Sequence, residues 1–296
     1  MVAVPDEVEQ FHATDHVRGG YLRAHPNLRI TKIVGTRPTR LTARPGWHNR
    51  QVTALVPTIV ATSIGFWPAG HGPMNLRLGP SYAHAASLAR AGEHPRVCVL
   101  GTAGGDSADW LTAIYFAFGT AGWQASHLAL FPEPNVPDIT EHLLAQDVVW
   151  VGGGSVANLL ALWRLHGVDA AMRAAWQAGV VLMGVSAGSI CWFTGGTTDS
   201  FGLPLRPVTN GLGFLPYANS PHHDAEEQRR PTIHRLIADG TLPDGYATDN
   251  GTGLVFQGTS LVDCVTEVEG ARTWRITRRP DGSVEEIALP TRLLTS

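Results

Sequence analysis

Short, solidly apolar runs recur along the middle of the chain: Thr58–Ile64, Arg96–Leu100, Ser126–Phe131, Asp147–Val151 and Val180–Val185. Most are rich in β-branched residues, as strands buried on both faces are. Between them the apolar period lengthens to that of helices. Leu111, Ile114 and Phe118 share one face behind Asp106, which is placed as the N-cap; Val156, Leu159, Leu160 and Trp163 share another. Asp138, with Glu141 three residues on, predicts a capped short helix to Ala145. Asp169 predicts the cap of a helix through Ala178, closed by Gly179. Wholly apolar strands alternating with helices predict an α/β fold, a doubly wound, mostly parallel sheet with helices on both faces. From Thr194 to Pro221 the pattern loosens into a Gly/Pro-rich stretch. Pro231 then marks the first turn of a helix with Ile233, Leu236 and Ile237 inward. Beyond Leu254, short strands joined by Gly258 and Pro280-Asp281-Gly282 predict an antiparallel C-terminal edge.

In such a sheet the ligand site lies beyond the carboxyl ends of the strands. Two motifs fall there. Gly152-Gly153-Gly154-Ser155 follows one apolar run, and Gly184-Val185-Ser186-Ala187-Gly188 follows another. A Gly-x-Ser-x-Gly between strand and helix is a nucleophile elbow: a turn that lifts the serine hydroxyl above the sheet edge, beside the free N–H groups of a helix start.

Residues 1–56 differ from the rest. They carry Arg18, Arg23, Arg29, Arg37, Arg40, Arg44 and Arg50, with scattered prolines and no sustained period, and read as a loosely packed extension ahead of a single domain, 57–296. The chain has 296 residues, 44% hydrophobic and 16% charged, with a net charge of −3. Without a basic stripe, nucleic acid is excluded as a partner. Without an apolar run of about 18 residues or a signal-peptide core, a membrane is excluded and a cytoplasmic location is expected. Cys98, Cys191 and Cys264 lack metal-ligand spacing and read as core thiols.

A serine nucleophile needs a base, an orienting group and an oxyanion hole. His222, His223 and His234 are the downstream bases, and Asp199 lies between serine and histidine. The 13 residues from Ser186 to Asp199, and 23 more to His222, are too few for an α/β-hydrolase esterase. A glutamine amidotransferase would need cysteine in the elbow. Together the glycine loop, the Gly-Val-Ser-Ala-Gly-Ser elbow, Thr197-Thr198-Asp199 and Pro221-His222 resemble the peptidase E family. These are α-aspartyl dipeptidases related to cyanophycinase, with a class I glutamine-amidotransferase-like fold.

The resemblance spans about residues 57–294. It implies Ser186 as nucleophile, His222 as base, Asp199 as orienting acid, and the N–H groups of Gly154 and Ala187 as the oxyanion hole. It implies hydrolysis of short peptides through an acyl-enzyme, with no cofactor or metal; a cyanophycinase-like exopeptidase and a silent binding domain are the alternatives. A small peptide is the expected partner, and the chain is expected as monomer or homodimer. If an N-terminal aspartate is preferred, a cation must meet it; Arg206, Arg229 and Arg230 are the candidates, with His223 a pocket-lining residue. Two departures bear on the pocket: Thr62-Ser63-Ile64-Gly65 replaces the family's glycine run, and Ser155 replaces asparagine.

Overall fold

The computed structural model describes residues 56–71 and 75–295; the extension expected over residues 1–56 lies, apart from Val56, outside the described residues. In chain order, the first half contains β1 (Thr58–Thr62), β2 (Trp67–Pro68), β3 (Leu76–Arg77), α1 (Pro80–Leu88), β4 (Arg96–Leu100), α2 (Ala108–Thr120) and β5 (Gln124–His127). Then come α3 (Ile139–Leu144), β6 (Val148–Val151), α4 (Val156–His166), α5 (Val168–Gln177), β7 (Val181–Val185) and α6 (Ala187–Ile190). They are followed by β8 (Phe193–Thr198), β9 (Arg206–Val208), β10 (Leu215–Pro221), α7 (Arg229–Ala238) and β11 (Gly245–Thr248). The chain ends in β12 (Thr252–Gln257), β13 (Ser260–Thr266), β14 (Thr273–Arg278), β15 (Val284–Leu289) and β16 (Arg292–Leu293).

The main sheet has the order β16-β13-β12-β1-β7-β6-β4-β5. From β1 to β5 every pairing is parallel, and β12 runs antiparallel to β1. Because successive strand residues point to opposite faces, each strand feeds two cores. Ile59, Ala61, Cys98, Leu100, Val149 and Val151 pack with Leu159 and Trp163 of α4 and Met172 of α5. Val60, Val97, Val99 and Trp150 pack with Tyr82 of α1 and Ile114 and Phe118 of α2 on the other face. Helices thus cover both faces, which is why the central strands β4, β6 and β7 are largely apolar, while the edge strand β5 reads Gln-Ala-Ser-His. Among the described residues no helix is long and apolar enough to cross a membrane. Cys98, Cys191 and Cys264 are buried and unpaired, and burial pushes the Cys98 thiol up to about 12.

The structure departs from the sequence pattern in four places, the first being the strand expected over Ser126–Phe131, which runs Gln124–His127 instead. The N-cap of α2 is Ser107, not Asp106; Asp106 turns at φ 52° and its Oδ2 accepts from Leu130 N at 2.7 Å instead. α5 starts at Val168 after Gly167, so Asp169 lies in its first turn rather than capping it. The Gly/Pro-rich stretch after the elbow is largely strand: β8, β9 and β10 join β11, β14 and β15 in a second sheet, order β15-β14-β11-β10-β8-β9. α7 packs on this sheet through Ile233, Leu236 and Ile237. The antiparallel C-terminal strands therefore divide, β12 and β13 extending the main sheet and β14 and β15 closing the second.

Candidate active site

Ser186 stands between β7 and α6 with φ 56° and ψ −113°, a conformation L-residues rarely adopt. Its N–H donates to the carbonyl of Thr62 at 3.2 Å, and its own carbonyl accepts from Ser189 and Ile190, each at 2.9 Å. The turn closes so tightly that a Cβ on Gly184 would lie 2.1 Å from the Gly188 carbonyl oxygen. This spacing explains the glycines of the motif: β7 and α6 cross where only hydrogen fits. The N–H of Ala187, first in α6, has no acceptor within the helix.

The glycine loop after β6 abuts the elbow. A Cβ on Gly153 would meet Ser186 Cβ at 3.2 Å and Oγ at 3.7 Å. Gly154 has φ 130°, and a Cβ there would lie 2.3 Å from the Ala103 carbonyl oxygen. Ser155 caps α4, its Oγ accepting from Asn158 N at 3.2 Å, so the serine found in place of asparagine keeps the helix start in order. Gly154→Ala is expected to lower both the melting temperature and kcat, the latter by about 10²–10³-fold if an oxyanion donor is displaced. Thermal unfolding and turnover measured on one sample check both.

Beside this loop lies a cleft of about 300 Å³ lined by Gly101, Gly104, Ser107, Trp110 and Gly153. Next to Gly101, where a Cβ would lie 3.4 Å from it, Asp106 Oδ1 is buried without a hydrogen-bond partner. Burial raises the Asp106 carboxyl above the usual carboxylate range, and the N–H of Leu130 offsets part of that.

The histidine comes from the second sheet. β10 and β11 run parallel with Pro221 opposite Thr248, so the loops after them emerge side by side. His222 leaves the strand at φ 55°. Its N–H donates to Ser63 Oγ at 2.9 Å, and that hydroxyl also lies 2.7 Å from Thr248 Oγ1. Consecutive residues at the end of β1, Thr62 and Ser63, thus tie down the backbones of Ser186 and His222. His222 Nδ1 lies 2.6 Å from Asn250 Oδ1, and Asn250 N donates to Asp224 Oδ1 at 2.7 Å.

Asp199 is placed otherwise. It is exposed, and among the described residues no hydrogen bond joins it to His222. It lines a separate groove of about 480 Å³ with Leu203, Leu205 and Glu226. β8 runs parallel to β10, but the left-handed turn at His222 carries the imidazole toward the β11 side, to Asn250. Ile64, at 2% exposure, is part of the interior.

His223, expected to line a pocket, lines neither the cleft at Trp110 nor the groove at Asp199 and is instead engaged in an ion-pair cluster. It is buried, with Nε2 3.1 Å from Glu286 Oε2, and His234 Nε2 meets the same oxygen at 2.6 Å. Arg230 adds a 3.1 Å ion pair to Glu286 Oε1 and lies over the Trp274 ring. Burial alone would raise the Glu286 carboxyl, but the hydrogen bonds from His223 and His234 and the charges around it outweigh burial and hold it down to about 2. A carboxyl depressed in the folded state contributes stability that is present above its unfolded value and lost as pH falls through its folded one. Glu286→Gln should therefore lower the urea midpoint at pH 7, and its gap to wild type should close between about pH 5 and pH 2. Urea titrations of both proteins across that range test this.

Arg229 is also engaged: it is 2% exposed, paired with Glu226 at 2.7 Å and donating to the Thr197 carbonyl at 2.6 Å. Arg206 is exposed, its guanidinium 5.4 Å from the Phe201 ring centroid. Sequence reasoning missed Ser63 and Asn250. Neither has a local signal, since each acquires its place only from pairing between distant strands.

A sequence model of peptidase family S51 matches residues 81–263, a span that holds the elbow, the glycine loop and both loops at His222. An uncharacterized peptidase of Bacillus subtilis (strain 168), YgaJ, is 43% identical over 202 residues, 68% of this chain and 86% of the relative. Peptidase E of Shewanella denitrificans is 33% identical over 124 residues, covering 39% of this chain and 52% of its own. The crystal structure of a peptidase from an acI-B1 actinobacterium shares the fold, with a TM-score of 0.56 at 17% identity, over 79% of this chain and 95% of that one. The family match spans most of the domain and the Bacillus relative is similar across nearly its whole length, so the chain belongs to peptidase family S51, the peptidase E family.

Proposed function

We propose that this peptidase is a serine-type dipeptidase that cleaves short peptides through an acyl-enzyme. The observation that carries this reading is the strained elbow at Ser186, whose backbone and that of His222 are tied to adjacent residues, Thr62 and Ser63. Among the described residues only four non-glycine positions have positive φ: Arg90, Asp106, Ser186 and His222. That the proposed nucleophile and base are two of them fits backbone strain held at a working site by surrounding hydrogen bonds.

In this reading His222 Nε2 takes the hydroxyl proton as Ser186 Oγ attacks the scissile carbonyl. The N–H groups of Gly154 and Ala187 receive the oxyanion, a contribution of about 3–4 kcal/mol per donor in comparable sites. The imidazolium then protonates the leaving amine, and water activated by the same imidazole frees the acyl group. The cleft at Gly101, Trp110 and Gly153 supplies room for a side chain next to the nucleophile. A preference for N-terminal aspartate rests on Arg206, since Arg229 and Arg230 are already paired with Glu226 and Glu286. A panel of dipeptides including Asp-x, assayed with wild type and Ser186→Ala side by side, tests the reading. Hydrolysis of dipeptides by wild type alone supports it, whereas equal rates in both proteins contradict it.

A further inference from the structure

We propose that Asn250 orients the catalytic imidazole, so that the serine and histidine work with an uncharged amide as third member; this rests on the serine-peptidase reading above. A base that accepts a proton at Nε2 must carry its own proton on Nδ1, and whatever faces Nδ1 must accept it. Asn250 Oδ1 lies there at 2.6 Å. Asparagine accepts that hydrogen bond as a carboxylate would, and fixes the tautomer and the ring plane, as the amide of a Cys-His-Asn arrangement does. It adds no negative charge to stabilise the imidazolium.

The turn that carries Asn250 is held from four sides. Its N–H donates to Asp224 Oδ1 at 2.7 Å, and Asp249 N donates to the Arg272 carbonyl at 3.0 Å. Gly251 N donates to the Ser63 carbonyl at 3.0 Å, and Asp249 Oδ1 accepts from Trp274 Nε1 at 2.9 Å. The amide is therefore delivered to His222 by a turn tied to the same Ser63 that holds the His222 backbone.

The charged groups around the imidazole leave the role to Asn250. On its own loop, Asp224 accepts from the Asn250 backbone and Glu226 pairs with Arg229. His223 turns inward to Glu286. From the β11 turn, Asp249 is occupied by Trp274 and by the Arg272 N–H at 3.1 Å. From the end of β8, Asp199 lies exposed in its groove. From β1 the neighbours are the uncharged Thr62 and Ser63.

The test is the pH dependence of kcat/KM for Asn250→Leu, Asn250→Asp and Asp199→Asn, with Ser186→Ala alongside. Asn250→Leu should lose about 10²–10⁴-fold in kcat with little change in KM, because orientation and not binding is removed. Asn250→Asp keeps the shape and adds a charge next to Nδ1. It should stay active and move the acidic limb of the profile up by about one pH unit, a shift that a residue serving only to hold the loop would not produce. Asp199→Asn should remain within about threefold of wild type. An Asn250→Leu rate close to wild type, an unmoved limb in Asn250→Asp, or a collapse in Asp199→Asn overturns the proposal while leaving the serine-peptidase reading in place. Full turnover by Ser186→Ala overturns that reading and this proposal together.

Discussion

Ser186→Ala is expected to reduce peptide turnover by at least about a thousandfold while the protein remains folded, because it removes the hydroxyl to which the proposed mechanism assigns the acyl bond. The side chain projects from the elbow at intermediate exposure, and among the described residues its Oγ makes no hydrogen bond, so its loss leaves no buried partner unsatisfied. The backbone contacts that hold the turn, to Thr62, Ser189 and Ile190, all run through main-chain atoms that alanine retains. Stability should accordingly change by less than about 1 kcal/mol. Circular dichroism and urea titration beside the kinetic assay separate lost chemistry from lost fold.

His222→Ala should cost nearly as much. The histidine's backbone is fixed at φ 55° by its N–H bond to Ser63 Oγ, and its ring by Asn250, so no other imidazole can take its place. His223, one residue on, is buried and engaged with Glu286. The double variant Ser186→Ala/His222→Ala should therefore be little slower than either single one, since members of such a set act as a unit. Additive losses, or a His222→Ala rate near wild type, would show that the two side chains do not cooperate. Alanine keeps a Cβ at the left-handed φ of His222, so His222→Ala leaves the backbone strain as it is and its stability should also stay close to wild type.

How much of this was legible in the sequence depends on which forces shape each segment. The strands β1, β4, β6 and β7 were readable because both faces are covered by helices and their central positions are therefore apolar. The elbow was readable because the crossing of β7 and α6 admits only small residues. The second sheet was not. β8 reads Phe-Thr-Gly-Gly-Thr-Thr, and its glycines are there because a Cβ on Gly195 would lie 2.0 Å from the Val208 carbonyl oxygen. A strand packed that closely looks like a loop in sequence. β10 carries Asn219, Ser220 and Pro221 at full burial, where Asn219 Oδ1 accepts from Ser189 Oγ at 3.0 Å, so its pattern is polar for reasons that local spacing cannot reveal.

The site divides in the same way. Ser186 and the glycine loop follow from local turn geometry and could be named from a few residues. The partner of His222 Nδ1 could not, because β8 and β11 flank β10 on either side and both bring a polar residue to the same end. Asp199 is the chemically expected one, but in the structure the His222 ring, leaving its strand through a left-handed turn, meets Asn250. The arginines mislead for a related reason. Arg229 is a buried helix residue whose guanidinium satisfies the Thr197 carbonyl and Glu226, a structural use that resembles a substrate clamp when seen as sequence.

The central claim, that Ser186 is the nucleophile, is tested most directly by covalent labelling. Wild-type protein is treated with a serine-directed phosphonate, digested, and its adduct located by mass spectrometry while residual peptidase activity is followed. The account predicts a single adduct on Ser186, formed in step with loss of activity and absent from Ser186→Ala. An adduct on another residue that tracks inactivation, or complete inactivation with Ser186 unmodified, would contradict it.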